Sequence, residues 1–302
     1  MTFRRLSSLR ALMVSLRPYH WMKNVLVFLP LFFAERITCW GDVLLSFRAF
    51  LCFCLAASSI YLINDSMDLS QDKFHPLKKM RPLASGLVSI PLAAGLACLF
   101  LIVSLGTAAF FINRSFLIVI FVYVVLGIAY SKYLKHWVIV DVLTLSAFYI
   151  LRILGGLVAI EARISYWMIL CIGLLAMFIG FNKRRHEIKF IGRKEAGLHR
   201  GVLHQYRKYT IDQMVSVVTA ATPISYTLYT VDPETIGRFG THALVLTVPF
   251  VYYGVFRYLY IVHRKGKGGD PVRIFFSDFP TILNACLWFL TCLAVIYWSK
   301  AK

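Results

Sequence analysis

The stretch NDSMDLSQDKFHPLKKMRPLASG, residues 64 to 86, is a polar island between two long apolar segments. Asp65, Asp68 and Asp72 stand at i, i+3 and i+7, a spacing that on a helix puts three carboxylates on one face over two turns. Carboxylates this close repel one another unless a cation sits among them, and hard oxygen ligands in a row suit Mg²⁺ bridging to a phosphorylated substrate. His75, Lys78, Lys79 and Arg81 follow, so cationic groups are at hand for phosphate oxygens that a metal leaves uncovered. A connector between two membrane helices needs some charge, but not three spaced aspartates with a basic run behind them.

The flanks set the fold class. With 59% hydrophobic residues over 302 positions and a mean hydropathy of +0.70, the chain is too apolar for a soluble domain and reads as an all-α polytopic membrane protein. A span needs about 20 apolar residues. Such segments run at 22–38, 43–63, 87–112, 115–131, 138–159, 165–181, 212–231, 241–261 and 280–299, which predicts nine crossings in a single domain, 1–302. The first is interrupted by Pro30. At the amino terminus the apolar run 11–16 is too short for a signal-peptide core. Arg10, Arg17 and Lys23 beside Leu12, Leu16 and Trp21 instead predict an interfacial helix within 1–21.

Net charge is +19, and its placement excludes a nucleic-acid binder, because the Lys and Arg are confined to alternate loops rather than spread over a folded surface. Of 33 Lys and Arg, 25 fall on the side of the amino terminus and six on the other. Positive charge marks the cytoplasmic side. The amino terminus and the loops 64–86 and 182–211 are therefore expected in the cytoplasm, at the inner membrane, and the carboxyl terminus outside. Seven cysteines show no metal-ligand or CxxC spacing.

Inside the spans, Arg152 is a costly charge that belongs against the bundle interior or a wet cavity. Asp141, eleven residues earlier and about 16 Å away along a helix, cannot pair with it. A salt bridge to another helix and a substrate role both remain open. Gly155 and Gly156 read as close helix packing, since no phosphate-loop spacing surrounds them. The stretch from 182 to 209 carries nine Lys and Arg against Glu187 and Glu195. Part of that is a positive-inside anchor, but Lys183 and Arg184 sit at the membrane boundary, where a lipid phosphate lies. His186, His199 and His204 lack any regular metal spacing and read as loop histidines.

The NDxxDxxxD run between the second and third spans resembles that of the UbiA superfamily of intramembrane prenyltransferases. RPYHWMKN (17–24), HPLKKMRPLASG (75–86), YSKYLKHWVIVD (130–141), FYILRILGG (148–156), SYW (165–167), NKRRHEI (182–188), HRGVLHQY (199–206), FRYLY and GDPVRIFFSD resemble one branch of it, the decaprenyl-phosphate phosphoribosyltransferases of arabinan-precursor synthesis. In the wider superfamily a second aspartate motif lies between spans six and seven. Here that loop is basic, with no aspartate between 182 and 209. One acidic and one basic motif suit a metal-bound diphosphate donor and a separate, metal-free phosphate acceptor.

The resemblance implies a UbiA-like bundle with a central cavity open to the cytoplasm. It also implies Mg²⁺-dependent transfer from phosphoribosyl pyrophosphate to a polyprenyl monophosphate, with pyrophosphate leaving. Asp65, Asp68 and Asp72 would hold the metal, Lys78 and Arg81 would take up charge on the leaving group, and Asn64 would ligate the metal or orient Asp65. Lys183 and Arg184 go to the lipid phosphate, Glu187 to orienting them, and Lys23, Tyr130 and Lys135 to the ribose 5-phosphate. Arg152, if its role is not structural, is a further candidate for substrate binding. The rival enzyme moves a prenyl group from a prenyl diphosphate to an aromatic or other acceptor, and predicts acidic residues in the second loop. A transporter would require inverted repeats or paired broken helices, and neither is evident. A homo-oligomer is left open.

Overall fold

The structure is a computed structural model that describes residues 8–74, 78–163, 166–191, 208–264 and 271–298. His75, His199, His204 and Glu195, and with them most of the stretch expected as the second catalytic loop, lie outside the described residues. The chain divides into two compact units, Met1–Ile164 and Ser165–Lys302, each taken here by itself. All described elements are helical.

The first unit holds α1 (Ser8–Leu16), a 3-10 segment (Pro18–Phe28), α2 (Leu29–Phe33), α3 (Trp40–Met67), α4 (Leu69–Phe74), α5 (Ile90–Phe111), α6 (Arg114–Lys132) and α7 (Val140–Ala159). The second holds α8 (Tyr166–Ile191), α9 (Lys208–Val231), α10 (Pro233–Phe239), α11 (Val248–Arg264), α12 (Pro271–Ser277) and α13 (Phe279–Trp298). Among the described residues eight helices have the length and hydropathy to cross a membrane: α3, α5, α6, α7, α8, α9, α11 with the turn before it, and α13. Large apolar side chains such as Phe110, 85% exposed, point away from the core. Water would penalise that surface and hydrocarbon does not, so the chain is an integral membrane protein.

The core of the first unit is built on Phe53 of α3, whose ring meets Phe116 at 5.8 Å and Tyr123 at 5.1 Å, both edge-on. Gly155 lets α7 approach it: a Cβ there would stand 2.4 Å from the Phe53 ring. The paired glycines therefore serve helix packing, as their spacing suggested.

The expected first span, 22–38, is not a long α-helix. It is the 3-10 segment followed by the five-residue α2, and it packs against α3 and α7. Its two ends are tied to opposite ends of α3. Arg17 just before it bonds Asp65, whereas Arg36 just after it bonds the Ile160 carbonyl and reaches Asp42. Asp42 and Asp65 are 23 residues apart on α3, about 35 Å at the α-helical rise. A 3-10 helix rises about 2 Å per residue, so this wind covers the distance with fewer residues than an α-helix needs. Pro18 fixes the first φ, and Gly156 admits the backbone, since a Cβ on it would lie 2.2 Å from the Val27 carbonyl oxygen. Arg152 completes the anchorage by donating to Asn24 Oδ1 at 2.6 Å.

Gly156→Ala is accordingly expected to displace this segment and lower the melting temperature of detergent-solubilised protein. Gly95→Ala in α5 meets nothing within 4 Å and should leave it unchanged or slightly raised. Equal effects at both positions would remove the close-approach account.

Candidate active site

The polar island begins within α3. The helix ends at Met67, and Asp68 caps it with φ −86° and ψ 2°. The register nevertheless continues, because Asp68 N–H donates to the Asn64 carbonyl and Asp72 N–H to the Asp68 carbonyl. Asp65 and Asp72, seven residues apart, thus keep a common face. Asp68 sits at the break and is paired with other partners, Lys135 and Asn64.

The chain then returns on the 3-10 turn Lys78–Met80, and Leu83, buried with Leu62, Val88 and Ala93, pins the following residues to α3 and α5. Gly86 takes φ 79°, open to glycine at little cost, as the chain turns towards α5. Arg81 is delivered between the two carboxylates. Its Nη1 donates to Asp65 Oδ1 at 3.0 Å and to Asp72 Oδ2 at 2.6 Å. Lys78 Nζ stands 3.9 Å from Asp72 Oδ1. Asp65 is 3% exposed and Asp72 2%, so these are buried charges that need cations beside them.

Arg17 is a partner that the sequence reading did not assign. Its Nη2 donates to both oxygens of Asp65, at 2.6 and 2.8 Å, and its guanidinium lies over the Tyr61 ring at 4.8 Å. To do so it takes φ 53° and ψ 55°, a left-handed conformation that costs a non-glycine residue about 1–2 kcal/mol. The one sequence signal was its place at the head of the RPYHWMKN stretch. Lys135, expected at a ribose phosphate, instead donates to Asp68 Oδ1 at 2.5 Å, and Asn64 orients Asp68 rather than Asp65, at 3.1 Å. Among the described residues three carboxylates are therefore ringed by four cations, Arg17, Lys78, Arg81 and Lys135. The cluster carries a net positive charge.

Of the remaining sites in this unit, Tyr130 meets the Phe148 ring edge-on and Lys23 is half-buried on the 3-10 segment. Arg152 is 4% exposed, and among the described residues it makes no salt bridge to another helix. It donates instead to Asn24 Oδ1, the Phe148 carbonyl and the Tyr123 hydroxyl, and lies over the Tyr123 and Tyr149 rings.

In the second unit, α8 continues to Ile191, so Lys183, Arg184 and Glu187 lie on a helix and not in a loop. Arg184 is 1% exposed and its Nη1 donates to Glu187 Oε2 at 2.7 Å. Arg185, unassigned by the sequence reading, pairs with Asp212 of α9. Arg257 of FRYLY makes two bonds, at 2.9 and 2.8 Å, to Asp278 of GDPVRIFFSD.

Among the described residues no three His, Cys, Asp or Glu side chains converge on a metal position. The donor chemistry of Asp65 and Asp72 still fits one. Oxygens of both lie within hydrogen-bond distance of a single cationic nitrogen, Arg81 Nη1, which stands where a cation shared between them would stand.

An all-helical integral membrane protein with buried aspartates and surplus cations gathered at the end of one helix is the class these features define. The match to known proteins is more particular. Residues 25–279 match the model of the UbiA prenyltransferase family, and the chain belongs to that family and is a transferase. A decaprenyl-phosphate phosphoribosyltransferase of Corynebacterium glutamicum is 30% identical over 94% of this chain and 86% of its own length. That of Mycolicibacterium smegmatis is 29% identical over 95% and 93%. A UbiA homologue of Archaeoglobus fulgidus, solved with GPP and Mg²⁺, superposes with a TM-score of 0.72 at 22% identity, covering 95% of this chain and 99% of that one. The last establishes the fold.

Arg17→Ala removes two of the bonds to buried Asp65 and should destabilise the fold by about 1.5–3 kcal/mol, the worth of hydrogen bonds to a charged group. Arg17→Lys should recover part of that in a thermal melt. An unchanged melting temperature for Arg17→Ala would show that the pair contributes nothing.

Proposed function

We propose that the chain transfers a 5-phosphoribosyl group from phosphoribosyl pyrophosphate to a polyprenyl monophosphate, releasing pyrophosphate, with a divalent cation, Mg²⁺, as cofactor. The observation that carries this reading is the surplus of cations around three aspartates, in a chain whose curated relatives of that activity match it nearly end to end. A site that is already positive calls for a ligand more anionic than a metal ion alone, as a metal-bound diphosphate is.

Asp65 and Asp72, with Asp68 beside them, would hold the metal, which when bound neutralises charge on the pyrophosphate and makes it a better leaving group. Arg81 and Lys78 take up the charge that develops on the departing pyrophosphate. Arg17 holds Asp65 in position through two hydrogen bonds. The attacking oxygen of the lipid phosphate is already anionic, so no strong general base is required. Lys183 is assigned to that phosphate, and Arg184, buried on Glu187, positions it. Arg152, Lys23 and Tyr130 are the remaining candidates for the sugar phosphate.

The two units act in this reading as one transmembrane domain. The segment 18–33, tied to both ends of α3, makes the ninth crossing, which puts the amino terminus and the aspartates in the cytoplasm, where the soluble donor is, and the carboxyl terminus outside.

The test incubates purified protein with Mg²⁺, labelled phosphoribosyl pyrophosphate and a series of polyprenyl phosphates. A labelled lipid is expected, and it should vanish on chelation and in Asp65→Asn and Asp68→Asn that still fold in detergent. Lys183→Ala should raise the KM for the lipid more than that for the sugar donor. If the protein instead prenylates an aromatic acid from a prenyl diphosphate and leaves the sugar donor untouched, the proposal is wrong.

A further inference from the structure

The second unit carries a cavity of about 640 Å³ between α9 and α11 that the transferase reading does not use. Its size is within the roughly 300–1,000 Å³ of small-molecule sites. At one end stand Arg185, Asp212 and His263, where the end of α8, the start of α9 and the end of α11 come together. Away from that end the lining is mainly apolar, with Pro223 and Phe256 in its walls, and it runs along α9 as far as Ile224. Asp212 and Ile224 are twelve residues apart, about 18 Å on a helix and more than half the hydrocarbon thickness. Pro223 inside α9 has no N–H to give to the preceding turn. An elongated apolar cleft in a membrane-crossing helix pair with a charged mouth has the layout of a lipid.

The mouth says which lipid. Arg185 spends Nε on Asp212, and its two Nη groups make no further hydrogen bond among the described residues. The second oxygen of Asp212 makes no hydrogen bond among the described residues, and the side chain is 36% exposed. His263 Nδ1 lies 2.9 Å from the Leu259 carbonyl. A carbonyl only accepts, so Nδ1 carries a proton and the ring is held in place. Among the described residues the mouth thus offers one cation, Arg185, and one carboxylate, Asp212. A head group that is only phosphate is drawn by Arg185 and repelled by Asp212. A head group with a phosphate and a primary ammonium satisfies both: phosphate oxygens accept from Arg185, and ammonium N–H groups donate to Asp212.

We propose that this cleft binds one glycerophospholipid of the ethanolamine type, its phosphate on Arg185, its ammonium on Asp212, and an acyl chain along α9. The proposal stands apart from the transferase reading and does not need it.

The test reconstitutes the full chain in nanodiscs of equal phosphatidylethanolamine, phosphatidylcholine and phosphatidylglycerol, transfers it to mild detergent and weighs it with its retained lipid by native mass spectrometry. One phosphatidylethanolamine per chain is expected, preferred by about tenfold over either of the others, the scale of one charge-assisted contact. Asp212→Asn should erase that preference. Because this change also breaks the pair joining α8 to α9, Ala220→Trp, which fills the cleft at a half-open position and leaves all three polar groups in place, is the second arm. It should abolish retention of every lipid while the melting temperature holds. Equal retention of the three lipids by the parent protein, or of phosphatidylethanolamine by parent and Ala220→Trp, would overturn the assignment. So would preferential capture of a polyprenyl monophosphate added to the mixture.

Discussion

Two buried carboxylates, Asp65 and Asp72, are held at the end of one membrane helix because a single guanidinium nitrogen stands between them. Without Arg81 the pair would repel in a medium of low dielectric. Everything nearby serves that arrangement. Leu83 pins the return of the chain so that Arg81 arrives. Arg17 accepts a left-handed backbone to reach Asp65, and Lys135 and Asn64 hold Asp68 aside. With four cations on three carboxylates, the described cluster is positive.

The second constraint is the membrane. A backbone in hydrocarbon must satisfy its own hydrogen bonds, and a charge there needs partners. The segment 18–33 meets the first demand as a tight 3-10 wind between α3 and α7, admitted by Gly156. Arg152 meets the second with an amide, a hydroxyl, a carbonyl and two aromatic faces in place of a carboxylate. The two demands meet in one place, since Asn24, on the 3-10 segment, is what Arg152 holds. A buried cation and an irregular segment are thereby a single structural solution.

The apolar runs told where helices lie, because hydrocarbon length is a simple requirement, and eight of nine were found as continuous helices. The ninth failed as an α-helix for a reason that hydropathy cannot carry, the close approach of two backbones at Gly156. Helix ends were less legible. Charge density at 182–188 suggested a loop, but α8 runs on to Ile191, since charged side chains at a helix end can reach water without ending the helix. The site was legible where chemistry lies close in sequence: Asp65, Asp72, Lys78 and Arg81 come together as the motif suggested. It was not legible where the partner is distant, as with Arg17 and Lys135.

What the sequence alone determined is composition and order: an apolar chain with aspartates and a basic run between two helices, and positive charge on alternate loops. Tertiary structure decided which cation faces which carboxylate. Arg184 turns inward and Arg185 meets Asp212, although the two are adjacent and alike. Neighbours on a helix point about 100° apart, so their surroundings differ completely. That angle becomes a choice of partner only when other helices are packed around it.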